Sequence, residues 1–92
     1  MQTLSVLQMS DGHTAALEWD GGRLYFALHA DGVDQMCAAE KYTVEVATLE
    51  DQATPPLEAG VFESAWADRL YILAGDHSFR SHSHGKSWEQ LY

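Results

Sequence analysis

The stretch Asp20-Gly-Gly-Arg-Leu-Tyr-Phe-Ala-Leu28 decides the fold that the sequence predicts. Two adjacent glycines after an acidic residue are typical of the tight turns that join antiparallel strands. The apolar run that follows, 24–28, is continuous, as in a central strand that is covered on both faces. We therefore expect a hairpin in which the strand that ends near Trp19 turns back into a strand that begins at Arg23.

Similar turn signals recur along the chain at intervals of about ten residues, which suits short antiparallel strands better than long helices. The segments 3–9, 42–49 and 70–74 between them are predicted strands. In 42–49 the side chains alternate, which places Tyr42, Val44 and Val46 on one face and Thr43, Glu45 and Ala47 on the other. The predicted fold class is all-β and mostly antiparallel, a small meander, barrel or sandwich of about seven to nine strands. The alternative is a pair of blade-like four-stranded sheets.

Two segments favour at most one or two short helices within this all-β fold. Residues 34–41 are good helix formers behind an Asp that can cap the helix, and they predict one short helix. In 57–67 several apolar side chains fall on one helical face, so a turn or two of helix competes there with a strand. We expect the strand.

The two halves of the chain resemble each other weakly at an offset of 46 residues. This offset aligns Arg23-Leu24-Tyr25 with Arg69-Leu70-Tyr71 and Tyr42 with Trp88. A period in the forties is the length of one four-stranded propeller blade. The chain is thus expected to be a single domain, 1–92, with a possible tandem repeat of 1–46 and 47–92.

Composition limits the partners that the chain can have. Fourteen acidic residues against five basic ones give a formal net charge of −9, which disfavours direct binding to nucleic acid or to anionic membranes. Cys37 is the only cysteine, so no internal disulfide can form. The N-terminus lacks the pattern of a signal peptide, and no stretch approaches the length of a membrane span. We expect a cytoplasmic protein without cofactors.

The C-terminal stretch Ser81-His-Ser-His-Gly-Lys-Ser-Trp88 resembles the Asp-box of BNR-type β-propeller blades. That pattern is Ser, any residue, Asp, any residue, Gly, any residue, Thr or Ser, then Trp. Four positions match, and Ser83 stands where the family has its Asp, whose side chain ties the turn to its own backbone. In that family the box is a structural hairpin element, so the resemblance implies a fold and not an activity.

The same region contains the candidate metal ligands His77, His82 and His84, because His82 and His84 would share one face of an extended strand. No cysteine completes a zinc spacing, and Arg80 and Lys86 oppose a bound cation. We therefore predict a solvated hairpin and no metal site. Catalytic motifs are also missing, since there is no nucleophile elbow and no basic group lies next to Cys37 in the sequence. We expect no enzyme.

An acid-rich segment, 40–63, suggests how the chain could act. The favoured hypothesis is a non-enzymatic protein-binding module that inhibits a basic partner that handles nucleic acid. In size and charge the chain resembles phage anti-CRISPR proteins and bacterial immunity proteins, a likeness of composition only. The alternative is a two-blade propeller unit that forms a homo-oligomer and binds a small ligand such as a sugar; a metal-binding domain is third. The candidate interface residues are Glu45, Glu50, Asp51, Glu58 and Trp66.

Overall fold

The computed structural model describes residues 1–29, 41–49, 54–64 and 69–92 of the chain. These residues form eight strands and no helix, which confirms the all-β prediction. No helix that could cross a membrane occurs in these ranges. The strands are β1 (Gln2–Gln8), β2 (Thr14–Asp20), β3 (Arg23–His29), β4 (Tyr42–Thr48), β5 (Ala59–Glu63), β6 (Leu70–Ala74), β7 (His77–Ser81) and β8 (Glu89–Gln90).

The strands build two four-stranded antiparallel sheets, in the order β1-β2-β3-β4 and β5-β6-β7-β8. Each strand pairs with its neighbour in sequence, so each sheet is a simple meander, and neither sheet closes into a barrel. This is the alternative that the sequence predicted, a pair of blade-like sheets. We call them the first sheet and the second sheet.

The predicted hairpin at the start of β3 is present. Asp20 pairs with Arg23, which leaves Gly21 and Gly22 as the two turn residues. Both have positive φ, 57° and 94°, as in the type I′ turn whose twist matches that of the flanking strands. The register that this turn sets places Leu24 opposite Trp19 and Phe26 opposite Leu17, all with buried side chains.

One apolar cluster connects the two sheets. The first sheet contributes Leu17, Leu24 and Phe26, and the second sheet contributes Ile72 and Phe79, all at most 1% exposed. The sheets also meet along β1 and β2, both of which contact β5. Because each sheet buries one face against the other, neither face would be covered in a separate sheet.

Strand β4 follows the predicted alternation only as far as its fifth residue. Leu24 pairs with Ala47 and Tyr25 with Glu45, so Val46 is an extra residue that makes a β-bulge. The bulge turns Ala47 towards the core, where it packs against the buried cluster, as Val44 and Val46 do. The prediction that Ala47 shares a face with Glu45 is therefore wrong, and Glu45 itself is exposed.

The two segments with helical patterns have different outcomes. The predicted helix at 34–41 lies outside the described residues, apart from its last residue. In 57–67, Ala59–Glu63 is a strand, as expected, because the ladder with β6 places Val61 opposite Ile72 in the core and Phe62 opposite Tyr71 on the other face. The residues 65–67 lie outside the described part of the chain.

A close contact at Gly85 joins the two sheets. A Cβ at Gly85 would come within 2.8 Å of three atoms of the Phe26 ring, and its φ is +90°. We expect Gly85→Ala to lower the free energy of unfolding by about 3 kcal/mol, because it combines overpacking with backbone strain. Urea denaturation measures this loss.

Gly21→Ala is the matched control, since Gly21 also has positive φ but a Cβ there would have no neighbour within 4 Å. Backbone strain alone should cost about 1 kcal/mol at this position. Equal losses in the two variants would contradict a tight contact between Gly85 and Phe26.

Candidate functional site

The loop 81–88, which we call the box loop, connects β7 to β8 and is held by the Ser81 hydroxyl. Ser81 is 1% exposed, and its Oγ accepts hydrogen bonds from the backbone N–H groups of Gly85, at 2.9 Å, and Ser83, at 3.2 Å. A buried hydroxyl that satisfies two backbone donors fixes the path of a loop that has no ladder hydrogen bonds of its own.

Ser83 closes the second half of the box loop. Its Oγ accepts a hydrogen bond from the backbone N–H of Ser87 at 2.8 Å and lies 2.8 Å from the Ser87 hydroxyl. Ser83 occupies the position at which the Asp-box pattern has Asp. The shorter side chain therefore still ties this turn to its own backbone, although the sequence had led us to expect that this tie was lost.

Trp88 and Phe26 place the box loop against the first sheet. The indole N–H of Trp88 donates to the carbonyl oxygen of Gly85 at 2.8 Å, and the centres of the Trp88 and Phe26 rings are 5.2 Å apart. Tyr42, on the edge strand β4, donates from its hydroxyl to the carbonyl oxygen of His84. The box loop thus belongs to the second sheet but is fixed by side chains of the first.

His84 has a φ of 62°, the one positive value among the described residues other than glycine. A histidine in the left-handed region is uncommon and persists only where the surroundings impose it. Here the surroundings are the Tyr42 hydroxyl on its carbonyl oxygen and the neighbouring Gly85, which has no space for a side chain. This backbone conformation directs the half-buried imidazole towards the turn between β1 and β2.

That turn provides Asp11 and His13. The carboxylate Oδ2 of Asp11 lies 2.8 Å from Nδ1 of His13 and 2.9 Å from Nε2 of His84. The two imidazole rings meet edge to face with their centres 5.3 Å apart. His13 is 4% exposed, whereas the Asp11 side chain is 40% exposed. Within the described ranges, these three form the one group of His, Cys, Asp and Glu ligand atoms that lie within 4.8 Å of one another.

The pKa of Asp11 is lowered from its ordinary value of 3.8. Partial burial alone would raise it, but the hydrogen bond from the backbone N–H of His13, the close contact with the His13 imidazole and the charges of His13 and His84 outweigh this effect. A lowered folded-state pKa means that the carboxylate stabilises the fold above its unfolded pKa. This contribution is lost as the pH falls through the folded-state pKa, below 3.8.

The structure separates the three histidines that the sequence grouped. His77 Nδ1 lies 3.3 Å from Nε2 of Gln90, and His82 Nε2 lies 3.9 Å from the carboxylate of Glu89. Of the three, only His84 belongs to a group of three potential ligands, and its neighbours are Asp11 and His13 from the turn between β1 and β2. The local pattern Asp11-Gly-His13 could have indicated two of these ligands, but no sequence pattern connects them to residue 84.

Two of the five predicted interface residues lie within the described ranges. Glu45 is exposed on β4, one edge of the first sheet, and its carboxylate accepts a hydrogen bond from Thr48 Oγ1 at 2.9 Å. Glu58 is also exposed, but it directly precedes β5, the strand that contacts β1 at the opposite edge. The structure does not bring these two together. The other three, Glu50, Asp51 and Trp66, lie outside the described residues.

An apolar patch on the outer face of the second sheet, on β5 and β6, was not predicted from the sequence. Arg80 and Glu89 continue the same face on β7 and β8. Residues directly opposite each other share a face, so the pairs Phe62–Tyr71 and Gly60–Leu73 lie on the side away from the core. Phe62 and Leu73 are each 50% exposed, and the Phe62 ring lies over Gly60. The segment 70–74 is continuously apolar in sequence, which is typical of a strand covered on both faces. Leu73 shows that one face is only partly covered.

A cleft of about 690 Å³ lies between β1 and the segment that leads into β5. Its lining combines the hydrogen-bonding side chains of Gln2, Thr3 and Thr54 with apolar side chains and prolines; the remaining members are Leu4, Pro55, Pro56, Leu57 and Ala59. The cleft is thus located where the two sheets meet. Such a site can accommodate a small polar ligand.

No family model, curated protein or solved structure matches this chain. Its functional interpretation therefore depends on the geometry described above.

The role of the box serines can be tested by substitution. We expect Ser81→Ala to lower the free energy of unfolding by about 2 kcal/mol, because two backbone N–H groups lose a buried acceptor. Ser83→Ala, at a more exposed position, should cost about 1 kcal/mol. Ser83→Asp should retain wild-type stability, since a carboxylate can accept the same hydrogen bond from Ser87. Thermal and urea unfolding provide the measurements, and a Ser83→Asp variant less stable than Ser83→Ala would contradict this role.

Proposed function

We propose that the chain is a non-catalytic two-blade unit that associates with further copies into a propeller-like ring. The observation behind this proposal is the apolar patch that β5 and β6 form on the outer face of the second sheet, where Phe62 and Leu73 are each half exposed. In a propeller each four-stranded blade is covered on both faces by its neighbours. Here each sheet has one such neighbour, and two blades cannot close a ring by themselves.

A second copy is the occupant that best fits this face. The inner face of the second sheet already packs against a four-stranded sheet through Val61, Ile72 and Phe79. A sheet of another copy would extend the same arrangement to the outer face. Because the outer faces of the two sheets differ in sequence, the contact would be heterologous, and repetition of one rotation closes such a contact into a ring.

The resemblance to the Asp-box supports the same proposal. The box loop joins the third and fourth strands of the second sheet, and Ser81, Ser83 and Trp88 make hydrogen bonds within it. In the ring, the cleft beside β1 and β5 would bind the small ligand, such as a sugar. Its amide and hydroxyl groups could hydrogen-bond to ligand hydroxyls, while Leu4 and Pro55 provide apolar contact.

Association can be tested by light scattering on the wild-type chain, on Phe62→Glu/Leu73→Glu and on the control Leu57→Glu. Leu57 is fully exposed but lies outside the strands. We expect a trimer or larger assembly for the wild type and the control, and a folded monomer for the double variant, because buried carboxylates disfavour the contact. A monomeric wild type at high concentration would end the proposal.

Salt distinguishes this proposal from the acidic docking hypothesis. Copies that each have a net charge of −9 repel one another, so added salt should favour self-association. Binding to a basic partner should instead weaken with salt, since screening removes the attraction. A light-scattering series at rising salt concentration measures self-association, and capture from cell extract over the same range of salt measures binding to a basic partner.

Docking on a basic partner remains the second candidate function, supported by the net charge and by the exposed Glu45. The substitutions Glu45→Lys, Glu50→Lys and Asp51→Lys together should weaken capture of such a partner from cell extract at low salt, while the melting temperature stays unchanged. Glu58→Lys is the control, because Glu58 directly precedes β5 of the second sheet and lies away from β4, the strand that contains Glu45. Unchanged capture by the triple variant would remove this candidate.

A further inference from the structure

We propose that Asp11, His13 and His84 form a binding site for a divalent transition-metal ion that joins the two sheets. Two ligands come from the turn between β1 and β2, and the third comes from the box loop between β7 and β8. This inference does not depend on self-association.

The donor set selects the class of metal. Two imidazole nitrogens and one carboxylate oxygen suit Zn²⁺, Co²⁺ or Ni²⁺, whereas Mg²⁺ and Ca²⁺ prefer oxygen ligands alone. Three protein ligands leave a fourth tetrahedral position for water or another small ligand. The carboxylate offsets part of the charge of the ion in a chain that is acidic overall.

The two distances from the Asp11 oxygen to the imidazole nitrogens require only a small adjustment for a metal ion to bind. Ligands bound to one tetrahedral zinc ion are about 3.4 Å apart, since each lies about 2.1 Å from the metal. The Asp11 oxygen is now 2.8 and 2.9 Å from the two imidazole nitrogens, so the carboxylate must move outward by about half an ångström. Asp11 is the most exposed of the three ligands, which leaves room for this movement.

The buried ring of His13 gives a second observation, independent of the distances, that points to a bound metal ion. Its ring is almost fully buried, yet neither Nδ1 nor Nε2 has a hydrogen-bond partner of good geometry. The 2.8 Å contact between Nδ1 and Asp11 is close but does not meet the directional requirement of a hydrogen bond. A buried polar atom without a partner is costly. Metal coordination at Nδ1 would satisfy one of the two nitrogens.

The surrounding structure positions all three side chains. One carboxylate oxygen of Asp11 accepts the backbone N–H of His13 at 3.0 Å, which leaves the other oxygen to face the two imidazoles. The turn is closed by a hydrogen bond from the N–H of Met9 to the carbonyl oxygen of His13 at 2.8 Å. His84 is fixed by its backbone conformation and by the Tyr42 hydroxyl. Ligands held in this way lose little conformational entropy on binding.

Arg80 had argued against a cation in this region, but it donates to the Glu89 carboxylate at 2.6 Å through Nε. That contact offsets its charge. Because the ligands connect the two sheets, a bound ion should stabilise the whole fold by mass action.

The test is thermal unfolding with and without Zn²⁺, together with Co²⁺ absorption. At a hundredfold excess over the dissociation constant, Zn²⁺ should raise the melting temperature by roughly 10 °C at pH 8. The shift should be much smaller at pH 5.5, where protons compete for the imidazoles. Co²⁺ should give visible bands of a four-coordinate site, without the charge-transfer band that a Cys37 thiolate would add.

Variants assign the ligands. Asp11→Asn and His84→Ala should each weaken Zn²⁺ affinity at least tenfold, whereas the controls His77→Ala and His82→Ala should leave it unchanged. Because His13 is buried and its removal also affects folding, the test uses the more exposed ligands Asp11 and His84. Binding that is weaker than millimolar, or that is lost with His77 or His82 instead, would overturn the site. Either result leaves the light-scattering test of self-association untouched.

Discussion

The packing of the Phe26 ring against Gly85 and Trp88 is the contact on which the rest of the structure depends. The ring is fully buried and lies so close to Gly85 that no side chain fits there. This contact fixes the box loop of the second sheet on the inner face of the first. It therefore sets where His84 lies relative to Asp11 and His13, and it holds together two sheets that would each expose an apolar face if separated.

The proposed functions depend on two results of this contact between the sheets: the side chains that it brings together and the apolar residues that it leaves exposed. It brings together His84, whose backbone is strained, the Asp11 carboxylate and the buried His13 imidazole from two sheets. The packing of the apolar core does not require this group of polar side chains. On the far side of the second sheet, Phe62 and Leu73 lie half exposed on an otherwise well-packed blade. The proposed metal site would stabilise one unit, while the apolar face would connect units. The two proposals use different residues, two connecting segments for the metal site and β5 and β6 for the apolar patch, so each can succeed or fail separately.

Much of the fold could be predicted because its signals are local. The glycine pair after Asp20 determines a hairpin, and apolar runs at 24–28 and 70–74 become central strands. Other features depend on partners distant in sequence. The bulge at Val46 reverses the orientation of Ala47, and only the pairing with Leu24 reveals it. The repeat also stays a prediction, since an offset of 46 residues aligns β3, the third strand of its sheet, with β6, the second strand of the other.

By itself, the sequence determined that this protein is acidic and that it forms short antiparallel strands joined by tight turns. Charge, turn residues and hydrophobic periodicity are read over a few neighbouring positions. Only the tertiary structure decided which histidine of the C-terminal stretch joins a group of three potential metal ligands and which apolar residues stay exposed. Asp11 and His84 are separated by most of the chain, and the exposure of Leu73 depends on which face of β6 the first sheet covers. Both outcomes result from how the two sheets pack, which no local pattern encodes.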